Sequence, residues 1–119
     1  MDIEKISFSL ISLAGDSFSK LIEALQAAKE SDSELVEQLL KEADDLMIEA
    51  HKVQTEMLIQ ETRGEQANSS VLLVHAQDTL MNTILASTLI REMIEMHQEI
   101  KTLRKRRKSK WKSINYMYF

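Results

Sequence analysis

Three stretches of the chain repeat their apolar residues at intervals of three and four, which is the period of an amphipathic α-helix. The first stretch runs from about Ile3 to Lys29, and the second lies between Ser31 and Gly64. The third begins near Val71 and continues past Ile100. The chain has only 2 Gly and no Pro, which leaves little material for the tight turns of a β fold. The pattern therefore predicts an all-α protein, a three-helix antiparallel bundle.

Short polar motifs indicate where these helices begin and end. Ser31 and Glu34 have capping-box spacing at the start of the second helix, and Gly64 suits the position just after its end. Asn and Ser residues in the connection 65–70 can cap the third helix. Gly15 lies inside the first helix, where it costs roughly 1 kcal/mol against Ala, so we expect a kink or a close helix contact there. One apolar face of the first helix comprises Ile11, Phe18, Leu21, Ile22 and Leu25.

The third segment is apolar on every side. Between Gln66 and Ile90 the only acidic or basic side chain besides His75 is Asp78. A helix of this kind is buried all round, and its Asn, Gln, Ser and Thr residues favour burial in protein over burial in a membrane. A single three-helix domain covers only one side of it. We infer that the other side packs against further copies of the chain, with closed symmetry as the default.

Composition is that of one soluble domain. The 119 residues are 44% hydrophobic and 29% charged, which fits a globular domain and argues against disorder. The chain has no Cys, so a disulfide framework is excluded. Its start, Met1 to Glu4, lacks the basic region of a signal peptide, and we expect a cytoplasmic protein.

Charge divides the chain into two parts. Residues 1–100 hold 7 Lys or Arg and all 19 Asp or Glu, a net charge of −12, whereas residues 101–119 hold 8 Lys or Arg and no acid, a net charge of +8. An acidic body does not suit nucleic acid, and we expect no nucleic-acid partner. The basic segment invites binding to nucleic acid or anionic lipid, but a solvated helix end is the simpler interpretation. We divide the chain into a helical domain, 1–103, and a basic tail, 104–119.

A polar seam interrupts the apolar third helix. His75, Asp78, Thr79 and Asn82 share one helix face because they are three, four and seven residues apart. Asp78 has no Lys or Arg partner within the segment, and the nearest is Arg91. It can stay protonated, meet a cation from another helix, join its symmetry mates around a Mg²⁺ ion, or be half-exposed with an ordinary ion pair. His75 is either a hydrogen-bonded core histidine or a reactive imidazole.

The second helix carries another polar pair. His51 and Gln54 share a face of that helix, and they either face solvent or lie beside the candidate site. His97 is surrounded in sequence by Glu95, Gln98 and Glu99, and we expect it to be exposed.

Three stretches, taken together and in order, resemble the enzyme IIA component of the lactose/cellobiose/chitobiose class of the bacterial phosphotransferase system. These are residues 14–20 (AGDSFSK), 49–55 (EAHKVQT) and 75–83 (HAQDTLMNT), one on each predicted helix. The resemblance covers about residues 3–100. Thr79 departs from it, because members usually have a second histidine directly after the aspartate.

The resemblance implies a concrete function. Members of this family are homotrimers of three-helix subunits, and a histidine at the position of His75 is transiently phosphorylated. It accepts the phosphoryl group from the histidine phosphocarrier protein and passes it to a cysteine of the cognate enzyme IIB, which serves the membrane-embedded IIC sugar permease. Asp78 would bind a metal ion, Mg²⁺, on the trimer axis. Gln77, His51 and Gln54 would lie near the phosphoryl site.

A second class of function competes with this one. The chain would then be a non-enzymatic helical scaffold or regulator whose basic tail binds nucleic acid or membrane. Phosphorylation separates the two classes, since only the phosphoryl carrier takes label from phosphoenolpyruvate.

Overall fold

The protein is described by a computed structural model at residues 2–64 and 70–118. These residues form three helices, α1 (Ile3–Lys29), α2 (Ser33–Thr62) and α3 (Val71–Tyr118). α1 packs along both of the others, with α2 antiparallel to it and α3 parallel to it. The predicted all-α, three-helix bundle is confirmed. Among the described residues, no helix is both long and apolar enough to cross a membrane.

The turn between α1 and α2 differs from the predicted capping box. Ser31 adopts a left-handed conformation (φ 64°), its N–H donates to the Ala28 carbonyl oxygen at 3.1 Å, and the N–H of Asp32 donates to that of Ala27 at 3.0 Å. This is a Schellman ending of α1. Because Ser31 closes α1, the cap of α2 moves to Asp32, whose carboxylate accepts from the Leu35 N–H at 3.2 Å. The predicted Ser31 cap is therefore wrong by one residue.

The other predicted ends are where the sequence places them. Gly64 has a positive φ of 89° just after α2, as expected of a residue that ends a helix. Ser70 caps α3, since its hydroxyl oxygen accepts from the Leu73 N–H at 3.0 Å. The remaining candidate caps, at 65–69, lie outside the described residues.

The buried face of α1 is built largely from small residues. It comprises Ser7, Leu10, Ala14, Ser17, Leu21, Ala24, Ala27 and Ala28. Of the large residues predicted to form an apolar face, only Leu21 is fully buried, and Phe18 and Ile22 are exposed. Small side chains allow α2 and α3 to approach α1 closely, and the buried Ser17 hydroxyl donates to the Ala43 carbonyl oxygen of α2 at 2.8 Å.

Among the described residues of one chain, Gly15 lies neither at a kink nor at a close helix contact. α1 runs through Gly15 without a break, and a Cβ atom added there would meet nothing within 4 Å. The close contact expected at this position is therefore absent from the described residues of a single chain.

α3 is much longer than the helices it packs on. Its inner side, with Leu73, Ala76, Leu80, Ile90 and Ile94, is buried against the bundle. The helix then continues to Tyr118, without a break at the predicted boundary between 103 and 104, and gives the molecule an extent of 79 × 20 × 19 Å. The division into 1–103 and 104–119 stays a prediction.

Candidate functional site

The candidate site lies on the first turns of α3, where a buried alanine sets its orientation. Ala76 is fully buried in a cluster with Leu10 and Ala14 of α1 and Ala50 of α2. One position before it, His75 is exposed, and one position after it, Gln77 is half-buried. The packing of Ala76 thus fixes the direction in which both polar side chains leave the helix.

Two threonine hydroxyls bond to the backbone of this segment. Thr79 Oγ1 donates to the His75 carbonyl oxygen at 2.8 Å. Thr83 is buried, and its Oγ1 donates to the Thr79 carbonyl oxygen at 2.8 Å and lies 3.3 Å from the Ala14 carbonyl oxygen of α1. Such bonds to the residue four positions earlier keep a threonine hydroxyl on the backbone. Thr79 therefore does not present its hydroxyl to the imidazole ring.

The imidazole of His75 is free on the surface. Its side chain makes no hydrogen bond or ion pair to any described residue, and the residue is exposed rather than part of the core. Within the described part of one chain, His75 is therefore not a hydrogen-bonded core histidine. A neutral imidazole with an accessible ring nitrogen is a nucleophile.

Asp78 is also exposed, and its contacts are few. The Asn82 amide nitrogen donates to its Oδ2 at 3.4 Å, a long hydrogen bond. Within residues 2–64 and 70–118 the ion pairs are Lys20–Glu42, Lys41–Asp45 and Arg91–Asp44, so Asp78 has no cationic partner there. The ordinary ion pair considered for Asp78 is not present within the described chain.

Asp78 lies in a long apolar surface that we call the outer stripe. The stripe consists of exposed side chains spaced three or four residues apart along α3, namely Val71, Val74, Met81, Leu85, Leu89, Met93, Met96, Ile100 and Leu103. Val71 is 88% exposed and Met81 61%. A continuous exposed surface of this size is typical of an interface. The sequence predicted a helix apolar all round, and the structure buries one side and leaves this stripe exposed.

The second-helix candidates are at the same level of the bundle as His75, and no hydrogen bond or ion pair joins them to it within the described residues. Ala50 packs in the cluster that buries Ala76, yet the adjacent His51 lines a shallow surface groove with Ile48, Lys52, Thr55 and Glu56. Gln54 is half-buried, and its Oε1 is shielded without a hydrogen-bond partner among the described residues. The structure therefore places His75, Asp78, Thr79 and Asn82 on one helix, and whether His51 and Gln54 act beside them stays a prediction.

One feature near the far end of the bundle was missed by the sequence analysis. His97 is half-buried and its Nε2 is shielded without a partner in the described chain, although its polar neighbours in sequence indicated an exposed residue. His97 follows the buried Ile94 by three residues and the buried Ile90 by seven, and this spacing was the signal that could have placed it on the inner side of α3.

Two side chains with altered pKa values, Lys20 and Glu42, lie away from the site. Lys20 Nζ and Glu42 Oε2 are 3.1 Å apart, and hydrogen bonding to Glu42 raises the pKa of Lys20. The Gln38 amide, followed by Lys20, lowers the pKa of Glu42. This pair joins α1 to α2 at the surface and stabilises the bundle rather than the chemistry.

The residues of one chain that the structure describes do not form a complete metal site. The described residues contain no group of three or more His, Cys, Asp or Glu that could hold a metal ion. Asp78 offers one carboxylate of the oxygen type that Mg²⁺ prefers, at an exposed position. It fits such an ion only if other copies of the chain supply further carboxylates.

Comparison with known proteins gives one consistent family. The family described as "PTS system, Lactose/Cellobiose specific IIA subunit" matches residues 5–98. The lactose-specific EIIA component of Staphylococcus epidermidis is 41% identical over 98 residues, which are 82% of this chain and 94% of that protein. Residues 101–118 lie beyond the family match.

Two solved structures agree with it. The cellobiose-specific enzyme IIA of Bacillus anthracis has a TM-score of 0.82 and 38% identity, covering 86% of this chain and 94% of that one. The IIA(chitobiose) in a complex with HPr from Escherichia coli has a TM-score of 0.73 and 33% identity, covering 85% and 98%.

Proposed function

The chain belongs to the lactose/cellobiose-specific IIA subunits of the phosphotransferase system, and from that membership we propose that it carries a phosphoryl group on His75 between two partner proteins. The observation that carries the proposal is the exposed imidazole with no side-chain partner among the described residues, held on a rigid helix by the buried Ala76. The sugar is of the lactose, cellobiose or chitobiose type, and its uptake is the work of the membrane-embedded IIC permease.

The partners follow from the same relatives. The structure of IIA(chitobiose) with HPr supports the histidine phosphocarrier protein HPr as the donor to His75. The acceptor is the cysteine of the cognate IIB component. An exposed ring on a helix surface suits both, since each partner must bring its own reactive atom in line with the phosphorus.

The transfer itself is a pair of displacements at phosphorus. A lone pair on a ring nitrogen of His75 forms a P–N bond while the P–N bond of the donor histidine breaks and leaves its electron pair on that nitrogen. In the second step the IIB thiolate forms a P–S bond and the P–N bond to His75 breaks. Gln77, which is half-buried one position beyond Ala76, supplies a neutral amide near the group. Thr79 stabilises the local backbone through its hydroxyl. It lacks the ring nitrogen with which a histidine at this position could relay a proton.

Charge at the site favours a neutralised Asp78. A phosphoryl group on His75 places about two negative charges one helical turn from this carboxylate, and like charges three residues apart on a helix repel. We propose a homotrimer in which the outer stripes of three α3 helices meet, with the three Asp78 side chains near the axis. Together they would hold a divalent ion such as Mg²⁺, which supplies positive charge there. Without an ion, at least one of the three would be protonated.

Phosphorylation by the general phosphotransferase components tests the carrier function. The purified protein is incubated with those components and labelled phosphoenolpyruvate, and we expect one acid-labile, base-stable label per chain that added IIB removes. His75→Gln should abolish the label because the nucleophile is gone, whereas the matched change at another exposed histidine, His51→Gln, should keep it.

Two results would contradict the proposal. Full labelling of His75→Gln would move the acceptor to another residue. The absence of label on the unaltered chain would favour the helical scaffold instead.

A further inference from the structure

The part of α3 beyond the bundle has two parts of different chemistry, which we call the basic collar (residues 101–112) and the tip (residues 111–117). The collar holds eight basic residues, namely Lys101, Arg104, Lys105, Arg106, Arg107, Lys108, Lys110 and Lys112. The tip has exposed apolar and aromatic side chains, including Trp111 at 62% and Met117 at 75% exposure. Neither part is needed to bury the core, whose last α3 residue is Ile94.

The charge of the collar is uncompensated. Residues 101–118 contain no Asp or Glu, and no collar residue is in an ion pair within the described chain. Eight like charges over about 17 Å of helix repel one another and attract a surface of opposite charge. A partner with dense negative charge is therefore the kind that this segment fits.

A second copy of the chain is a poor occupant for the collar. The apolar positions Leu103 and Ile114 continue the direction of the outer stripe, but Arg107 lies between them on the same side. The proposed trimer brings three parallel collars near one another beyond Leu103, and with no acid there to offset their positive charges they favour an anionic partner over contact with each other. Each chain would bring one Asp78 charge to the trimer axis but eight positive charges to the collars.

The tip distinguishes between two anionic partners. Trp and Tyr side chains prefer the interface between lipid and water, where an aromatic body and a polar edge are both satisfied. Trp111, Ile114, Tyr116 and Met117 lie within the last two turns described, directly after the collar. We propose that this extension docks end-on to an anionic lipid bilayer, with the tip among the headgroups and the collar against the lipid phosphates.

The length of α3 allows this orientation despite the acidic body. From Gln98 to Trp111, where the tip begins, the helix advances about 20 Å, whereas charges are screened over about 8 Å at physiological salt. The body, with its net charge of −12 over residues 1–100, thus stays about two screening lengths from the lipid. A chain lying flat on the surface would bring those acids into contact with it.

Trp111 makes the proposal directly measurable, because it is the only Trp in the chain. The full-length protein is mixed with vesicles of phosphatidylcholine alone or with phosphatidylserine added, and Trp111 emission and co-sedimentation are recorded. We expect binding and a blue shift only with the anionic vesicles, weakened by added salt. Replacing Arg104, Lys108 and Lys112 together by Gln should weaken binding roughly a hundredfold, at about fivefold per basic residue.

The controls separate location from net charge. Replacing Lys5, Lys29 and Lys52 by Gln removes the same charge from exposed positions of the body and should leave vesicle binding unchanged. Ile114→Ser with Met117→Ser keeps the Trp reporter and should reduce the blue shift. All variants should still be phosphorylated, so failure of lipid docking is distinguishable from failure of the carrier function.

Four outcomes would overturn the proposal. These are no binding to anionic vesicles, equal losses in the collar and body variants, tighter binding to duplex DNA or RNA than to vesicles, and a concentration-dependent blue shift without vesicles. The third would make nucleic acid the partner, and the fourth would make the extension a contact between copies.

Discussion

Ala76 shows how a small core residue sets the orientation of a neighbouring polar side chain. Its methyl group is fully buried between α1 and α2, and this contact fixes the rotation of α3 about its own axis at the second turn. His75 then faces outward without any hydrogen bond from its ring to a described residue. Orientation is supplied by backbone packing, so the imidazole stays free for bond formation.

Gly15 offers a test of what lies beside α1. In one chain a Cβ atom at this position meets open space, so Gly15→Ala should stabilise the protein by about 0.5–1 kcal/mol through helix propensity. Urea unfolding followed by circular dichroism measures the change. A loss of stability would instead show that another copy of the chain approaches α1 at Gly15.

The sequence singled out the candidate site residues more readily than it predicted their surroundings. His75 and Asp78 stood out because polar groups are rare in their segment, and their exposure on α3 agrees with a site there. The surface groove that His51 lines with Ile48 and Thr55 could not be predicted, because it depends on how α2 is rotated against α1. The half-buried state of His97 depends on tertiary packing in the same way.

At the scale of the helices, the α1–α2 turn depends on one strained residue. Ser31 occupies the left-handed region that favours glycine, and it allows two N–H groups to bond back to the end of α1. The next residue, Asp32, can then cap α2. A single residue thus separates the end of one helix from the cap of the other.

Substitutions at these two positions should have opposite signs. Ser31→Gly should raise the free energy of unfolding by about 1 kcal/mol because glycine adopts positive φ without strain. Asp32→Ala should lower it by about 1 kcal/mol through loss of the cap. Thermal or urea unfolding of both variants checks this, and destabilisation by Ser31→Gly would restore Ser31 as the cap.

The helices were predictable to within a residue or two, but the core face of α1 was not. Periodicity gives the most weight to large apolar side chains such as Phe18 and Ile22, which are exposed. The helix that contacts both neighbours needs small side chains, and Ala14, Ser17 and Ala24 are fully or almost fully buried. Small residues are a weak sequence signal because they occur on any face of a helix.

For the whole molecule, the outer stripe is the dominant surface. Its exposed apolar residues run along most of α3, and Asp78 is an acid within it. The sequence predicted an uncovered side of α3, because its third segment is apolar on every side and the other two helices of one chain can cover only one side of it. The number of copies that cover this side of α3 depends on the assembly, and the proposed trimer would cover it with two further copies.

Substitutions in the stripe should separate association from charge. Asp78→Leu should keep the oligomer and either leave the free energy of unfolding unchanged or raise it by about 1–4 kcal/mol, because an apolar group replaces a charge that the proposed trimer would bury. Leu85→Lys should dissociate it, and the exposed Gln98→Lys, on the other side of α3, should not. Sedimentation equilibrium and thermal unfolding measure both effects. A stable monomer of the unaltered chain at micromolar concentration would exclude the trimer.

α3 contains no Gly or Pro from Val71 to Tyr118, so rotation about its axis is transmitted along its whole length. His75 and Trp111 are 36 positions apart, about ten whole turns at roughly 3.6 residues per turn, and they therefore leave the helix on nearly the same azimuth. One residue inserted between them would turn the tip by about 100°, whereas four would turn it by only about 40°. The number of residues between His75 and the tip therefore sets the direction in which His75 faces relative to the surface that the tip contacts. No hinge in α3 is involved.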